Sequence, residues 1–233
     1  MQRKELKMKT KTSFTVHRLT FSAVMLALAT ALALISALIP FLQLPFGGTL
    51  TLASMLPIII VSYVYGVKWG SFTSFTYAAL QIIMDLMLGK NSTIIAYFLP
   101  EDEGGMKLFA AIAITIIDYI IAYGILGIGG IFRKNKNKTL ALTLGALLAT
   151  AGRYIAHIIS GYIFWGSYAE WFFTESFNVG GIGSNILGTF SGRSLAMVYS
   201  LVYNGLYMIP EIILTAVVAV IISRLPQIKA QEL

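Results

Sequence analysis

Six stretches of this 233-residue chain are apolar over about the 20 residues a helix needs to cross a bilayer. They lie near residues 19–40, 50–66, 69–88, 108–132, 139–165 and 196–223. Hydrophobic residues make up 57% of the chain and charged residues only 12%, against roughly 25% charged in a soluble domain. Mean hydropathy is +0.79. A soluble domain of this size buries only roughly 70–75% of its surface on folding, so water is the wrong solvent for most of this chain. An ordinary soluble enzyme, a disordered chain and a nucleic-acid-binding module are excluded. The pattern predicts an all-α membrane protein, with six transmembrane helices in the lipid bilayer.

The first stretch follows the basic residues Arg3, Lys4, Lys7, Lys9, Lys11 and Arg18. A signal peptide also begins with positive charge, but its apolar core of about 7–15 residues is shorter than the run from 19 to 42, which therefore reads as a retained first helix. Residues 1–18 are expected to form a basic tail and 19–223 the six-helix domain, with long outer loops at 89–107 and 166–195. Residues 224–233 form a second tail. Pro57 lies inside the second stretch, where it predicts a kink.

Positive charge sets the orientation, because cytoplasmic loops carry an excess of Lys and Arg. The N-terminal tail, Lys68, the cluster Arg133, Lys134, Lys136 and Lys138, and the tail residues Arg224 and Lys229 place thirteen on one side. The other side has Lys90, Lys107 and Arg193, while Arg153 lies within a span. Both termini are thus expected in the cytoplasm, as an even number of spans requires, and the protein is placed in the cell membrane as a multi-pass protein.

Ionisable residues at membrane depth are costly and commonly line a cavity or pair with each other. This chain has Asp85, Asp118, Arg153, His157 and Glu211 there, beside Tyr77, Gln81, Tyr119, Tyr199 and Asn204. Tyr77, Gln81 and Asp85 share a helical face, as do Arg153, His157, Gly161 and Trp165, by their four-residue spacing. With about 1.5 Å of rise per residue, most of these fall in the outer half of the membrane. Polar faces of four helices are therefore expected to converge on an outward-facing binding cavity, the alternative being hydrogen bonds between helices. For Arg153 the expectation is a structural ion pair with Asp118 or Glu211. Trp165 and Trp171 fit either an interfacial belt or, for Trp165, the pocket.

In the first span Ala23, Ala27 and Ala31 recur every four residues, as do Ala29, Ala33 and Ala37. Small residues at that spacing allow close helix approach, either within the bundle or against a separate membrane subunit. The chain has no phosphate-binding GxxxxGK[ST] loop, and no HExxH or GxSxG motif, so it is expected to be neither an ATPase nor an enzyme. No metal site, cofactor or nucleic-acid partner is expected, and with no cysteine thiolate chemistry is excluded.

Several strings, in order, resemble the thiamine-specific substrate-binding (S) component of energy-coupling-factor (ECF) vitamin transporters. These are Gly47-Gly48-Thr49-Leu50-Thr51, Met55-Leu56-Pro57-Ile58, Tyr65-Gly66-Val67-Lys68-Trp69-Gly70, Asp118-Tyr119 and the run 127–132. Arg153-Tyr154-Ile155-Ala156-His157-Ile158-Ile159-Ser160-Gly161, Phe164 to Ala169, and Tyr199-Ser200-Leu201-Val202-Tyr203-Asn204-Gly205 complete the set, the first and last of these being the most specific. The resemblance implies a six-helix subunit that captures thiamine from outside and docks on a shared transmembrane subunit and two ATPase subunits. It implies that Tyr77, Asp118, Tyr119, His157, Trp165, Tyr199 and Asn204 bind the vitamin, and it fits Ala23, Ala27 and Ala31 as the docking face. Departures are the long outer loops, the lack of a proline after Ala169, and Gly47 and Gly48 where some members carry a tryptophan. Two other readings stay open: an S component for another small cationic or heteroaromatic nutrient, and a proton-coupled transporter using Asp85, Asp118, His157 and Glu211 as relays.

Overall fold

The computed structural model describes residues 2–44, 48–87 and 92–226, with side chains from residue 15 onward. The side chains of the tail cations from Arg3 to Lys11, and Gly47, Lys90, and Lys229 with the last residues of the second tail, lie outside what is described. The described residues are all helical apart from loops and one isolated bridge, Gln43 to Thr49. The helices are α1 (Gln2–Ala37), α2 (Leu56–Tyr65), α3 (Val67–Met87), α4 (Thr93–Tyr97), α5 (Leu108–Gly130), α6 (Lys138–Phe164), α7 (Ile182–Thr189) and α8 (Gly192–Ile222).

Among the described residues four helices are long and apolar enough to cross a membrane: Thr15–Ala37 of α1, α5, α6 and α8. The protein is thus an all-α, multi-pass membrane protein. The second and third expected spans depart from that simple picture. α2 has 10 residues, about 15 Å at helical rise, and residues 50–55 are not helical. Pro57 does not kink it. It stands in the first turn of α2, where the missing N–H would have had no helical partner anyway. α3 has 21 residues, about 31 Å, but carries Lys68, Gln81, Asp85 and several hydroxyls that lower its hydropathy.

The outside and inside of the bundle are inverted relative to a soluble protein. Phe72, Phe75, Ile155, Ile163, Ile213 and Val217 are exposed, whereas Arg153, His157, Asn204 and Glu211 are buried. That arrangement suits lipid, in which apolar side chains face the solvent and ionisable ones face each other.

Small residues bring the helices together at the end carrying Lys68 and Arg133. Ser62 Oγ on α2 donates to Gly127 O and accepts from Gly130 N at 2.9 Å. A Cβ at Gly145 of α6 would stand 1.9 Å from Gly129 O on α5, so only glycine permits this crossing. Arg133 donates to the Tyr63 and Val64 carbonyls at 3.1 and 2.8 Å, satisfying the last turn of α2, whose own ladder has ended.

Midway along α5 the regular helix widens into a π turn over Ile116–Ile121 and then tightens into a 3-10 segment over Ile125–Gly130. Single π turns inside α-helices recur at functional sites. This one contains Asp118 and Tyr119.

Candidate functional site

A cavity of about 200 Å³ lies at the opposite end of the bundle. Its walls come from the C-terminal halves of α1, α3 and α6, the middle of α5, the first half of α8, the strap 48–51 and α4. Asp118, Tyr119, His157, Trp165, Tyr199 and Asn204 all line it. Tyr77 does not. It is fully buried behind the wall, donates to the Ala29 carbonyl of α1 at 3.4 Å and packs edge-on against Tyr123.

Asp118 is the electrostatic centre. Its Oδ1 is 2.8 Å from His157 Nδ1 and its Oδ2 accepts from Ser160 Oγ at 2.7 Å. A carboxylate only accepts, so neutral His157 carries its proton on Nδ1 and leaves Nε2 as an acceptor. That Nε2 has no protein partner. His157 and Asp118 thus meet as a directly hydrogen-bonded pair.

Arg153 differs from expectation, for it makes no ion pair with Asp118 or Glu211. Its guanidinium carbon lies 4.4 Å from the Tyr123 ring centre, and its nitrogens donate to Tyr123 Oη and Met55 Sδ, both at 3.1 Å. Both candidate carboxylates are engaged elsewhere. Glu211 accepts the Thr51 N–H at 2.7 Å, tying the strap beside the cavity to α8. An aromatic face and a soft sulfur solvate the cation instead.

Each fixed letter of the 153–161 string has a physical task. Tyr154 Oη donates to the Leu201 carbonyl at 2.8 Å, and a Cβ at Gly161 would meet Ser200 Oγ at 2.3 Å. From α8, Ser200 Oγ donates to Ile158 O at 2.7 Å and Asn204 Nδ2 to His157 O at 3.2 Å. Asn204 Oδ1 accepts from Tyr207 Oη at 2.7 Å. The seam between α6 and α8 is therefore zipped by hydrogen bonds, and the same residues aim His157 and Asn204 at the cavity.

Tyr119 Oη donates to Asp85 Oδ2 at 2.9 Å. Tyr97, Tyr123, Tyr203 and Tyr207 also line the cavity, and sequence reasoning did not single them out. Two were signalled: Tyr199, Tyr203 and Tyr207 repeat every four residues, so one face of α8 is a tyrosine ladder. Trp165 ends α6 and packs on Tyr97 and Tyr168, with ring centres 5.7 and 5.5 Å away. It faces the cavity. Trp171 is exposed, as an interfacial ring would be.

With this geometry in view, the comparisons with known proteins are direct. The family described as thiamine transporter protein matches residues 22–111 and 104–173, well over half of the chain. The chain belongs to this family. Thiamine transporter ThiT of Bacillus subtilis (strain 168) is 29% identical over 212 residues, covering 86% of this chain and 87% of that one. A solved structure of ThiT from Listeria monocytogenes has the same fold, with a TM-score of 0.59 at 19% identity over 90% of this chain and 94% of that one.

Proposed function

We propose that this family member is the high-affinity thiamine-binding S component of an ECF uptake transporter. The observation that carries the reading is a cavity lined by carboxylates and aromatic rings inside a thiamine-transporter fold. Asp85, Asp118 and Arg153 all line the cavity, neither carboxylate pairs with the guanidinium, and Asp118 stands beside tyrosine rings, a setting that suits a cationic ligand. Thiamine's thiazolium is a permanent cation, and the cavity's aromatic rings suit it, at about 2 kcal/mol per desolvated contact. Asp118 keeps lone pairs free beyond those used by His157 and Ser160, and these can accept the aminopyrimidine N–H. His157 Nε2 and Asn204 suit the hydroxyl. A space of about 200 Å³ is below the roughly 300–1,000 Å³ of drug-sized pockets, which favours a vitamin-sized ligand over a peptide.

In this reading Asp118, Tyr119, His157, Trp165, Tyr199 and Asn204 touch the vitamin, and Tyr77 supports Tyr123 from behind. Six helices cross the membrane, α2 and α3 completing the set, with both termini in the cytoplasm and the cavity open to the outside. The thirteen-to-three division of Lys and Arg supports that orientation. Ala23, Ala27 and Ala31 are exposed, while Ala29 and Ala33 are buried. One alanine stripe therefore packs inside and the other is free for a transmembrane partner, to which two ATPase subunits would attach.

Titration of the purified protein tests the function. Tryptophan fluorescence is expected to respond to nanomolar thiamine and not to riboflavin or biotin. No response to thiamine removes the reading. Uptake into liposomes by the protein alone, driven by a pH gradient, would favour a proton-coupled transporter instead. For the docking face, Ala27→Leu is expected to keep thiamine binding and abolish uptake by the assembled transporter, because bulk blocks close helix approach. Normal uptake at normal expression would exclude that face.

A further inference from the structure

Residues 92–107, from the long outer loop between α3 and α5, form a folded part of the cavity wall. Ser92 caps α4, its Oγ accepting from Ile95 N at 3.0 Å. Beyond α4 the chain closes on itself: Met106 N donates to Tyr97 O at 2.9 Å and Gly105 N to Pro100 O at 3.0 Å. The turn needs its glycines, since Gly104 has φ of 88° and a Cβ at Gly105 would meet Leu99 O at 1.8 Å. Ile94 and Tyr97 are buried, and Tyr97 forms a small apolar cluster with Ala111, Ile114, Met106, Phe164 and Trp165.

One carboxylate fastens this element to the pocket. Asp85, at the end of α3, accepts from Ser92 Oγ and Ile94 N with Oδ1, at 2.5 and 3.0 Å, and from Thr93 N and Tyr119 Oη with Oδ2, at 3.3 and 2.9 Å. It thus satisfies the first turn of α4, where a negative charge is favoured, and fixes the Tyr119 phenol. Its lone pairs are largely used by these donors. Asp85 therefore acts on a ligand chiefly through its neighbours. Tyr97 lines the cavity with its ring at 58° to Trp165, making an aromatic corner.

We propose that Tyr97 is a ligand-contacting residue that completes this aromatic corner around the cationic ring, and that Asp85 is the positioning residue holding Tyr97 and Tyr119 in place. The inference rests on the thiamine reading above. It assigns the outer loop a recognition role that no motif in the sequence announces. Burial and the carboxylates of Asp118 and Asp85 push the Tyr97 hydroxyl far above its usual range, so the group stays protonated and the ring, not a phenolate, meets the cation.

The chain contains no cysteine, so a single introduced thiol reports one position. In the purified full-length protein, Tyr97→Cys is expected to react with a small cationic thiol reagent, and saturating thiamine should block the reaction. Ala96→Cys, on the exposed face of α4, should react equally with and without thiamine. Reaction at 97 unaffected by thiamine, or no reaction at 97 in the empty protein, overturns the proposal. Titration supplies a second arm: Tyr97→Phe should weaken thiamine about twofold and Tyr97→Leu about tenfold. Full affinity in Tyr97→Leu overturns the proposal.

For Asp85→Asn the expected loss is about fivefold, shrinking to less than about twofold once Tyr97→Leu and Tyr119→Phe are present, because coupled residues are not additive. An undiminished loss in that background means Asp85 does not act through the two tyrosines. Unsubstituted protein that fails to bind thiamine would instead overturn the functional reading itself, together with this inference. Failure confined to the variants would overturn the inference alone.

Discussion

The two ends of the bundle use the same helices under opposite packing rules. Towards Lys68 and Arg133, glycine and serine let backbones touch: Gly145 against Gly129, Gly130 against Ser62, and Gly70 against the Ser62 side chain. Towards the cavity, tyrosines on α5 and α8 hold the helices apart, and the intervening polar groups join networks around Asp118 and Asp85. Lipid supplies no hydrophobic drive between helices, so contact must come from close packing or from hydrogen bonds. One end uses the first to seal the bundle. The other uses the second to keep a polar space open at membrane depth.

The comparison breaks most visibly at the sealed end. Gly145→Val places branched carbon where the Gly129 carbonyl already stands 1.9 Å from a modest Cβ. Overpacking a tight contact costs about 1–3 kcal/mol and more where backbone must move. Gly145→Val is expected to abolish monodisperse protein on size exclusion in detergent. Folded Gly145→Val with an unchanged melting temperature would show that the α5–α6 crossing is looser than described.

Next in size is the open end's central charge. Asp118→Asn is expected to weaken thiamine by at least about tenfold, the loss of a charge-assisted hydrogen bond of roughly 1.5–3 kcal/mol. The protein should remain folded, because Asn still accepts from Ser160 or His157. Unchanged affinity, measured by fluorescence titration, would remove Asp118 from the site.

The sealed and open ends were unequally legible in the sequence. The Arg153 to Gly161 and Tyr199 to Asn204 strings lie on long, regular helices, so four-residue spacing placed His157 and Gly161 on one face, and the α8 string pointed to Tyr199 and Asn204. Spacing fails where backbone departs from the regular period. Asp118 and Tyr119 both reach the cavity through a π turn, and Tyr97 arrives on a five-residue helix set by side-chain capping. Neither departure is encoded in apolar periodicity. A buried cation such as Arg153 suggests a carboxylate partner, whereas Tyr123 and Met55 solvate it here. Tyr77 shares a face with Gln81 and Asp85 as spacing requires, yet it lies one turn too deep to reach the cavity.

A smaller effect tests whether the open end recognises charge or merely packs. Trp165→Phe should weaken thiamine slightly and Trp165→Leu by about 0.5–2 kcal/mol, up to roughly thirtyfold in Kd, since the attraction follows the ring quadrupole. A neutral analogue lacking the cationic ring should show little of that gradient. Equal losses for both ligands would return Trp165 to the interfacial belt.

The smallest expected effect has opposite signs in the two states of the open end. Gln81 is 9% exposed, lines the cavity, and its Nε2 has no protein partner. An unsatisfied buried donor destabilises a protein by about 1–3 kcal/mol. Gln81→Met keeps the length and removes the donor. Without thiamine, Gln81→Met should therefore melt at the same or a slightly higher temperature, by up to about 1 kcal/mol. With ligand at a hundred times Kd, binding adds about 2.7 kcal/mol to the unsubstituted protein. If thiamine supplies the missing acceptor, Gln81→Met gains less at that same concentration, so the two melting curves cross on adding ligand. A lowered melting temperature in the empty Gln81→Met protein would mean that the amide is structurally satisfied. The open end would then be as fully bonded as the sealed one, and the contrast between them would reduce to side-chain size.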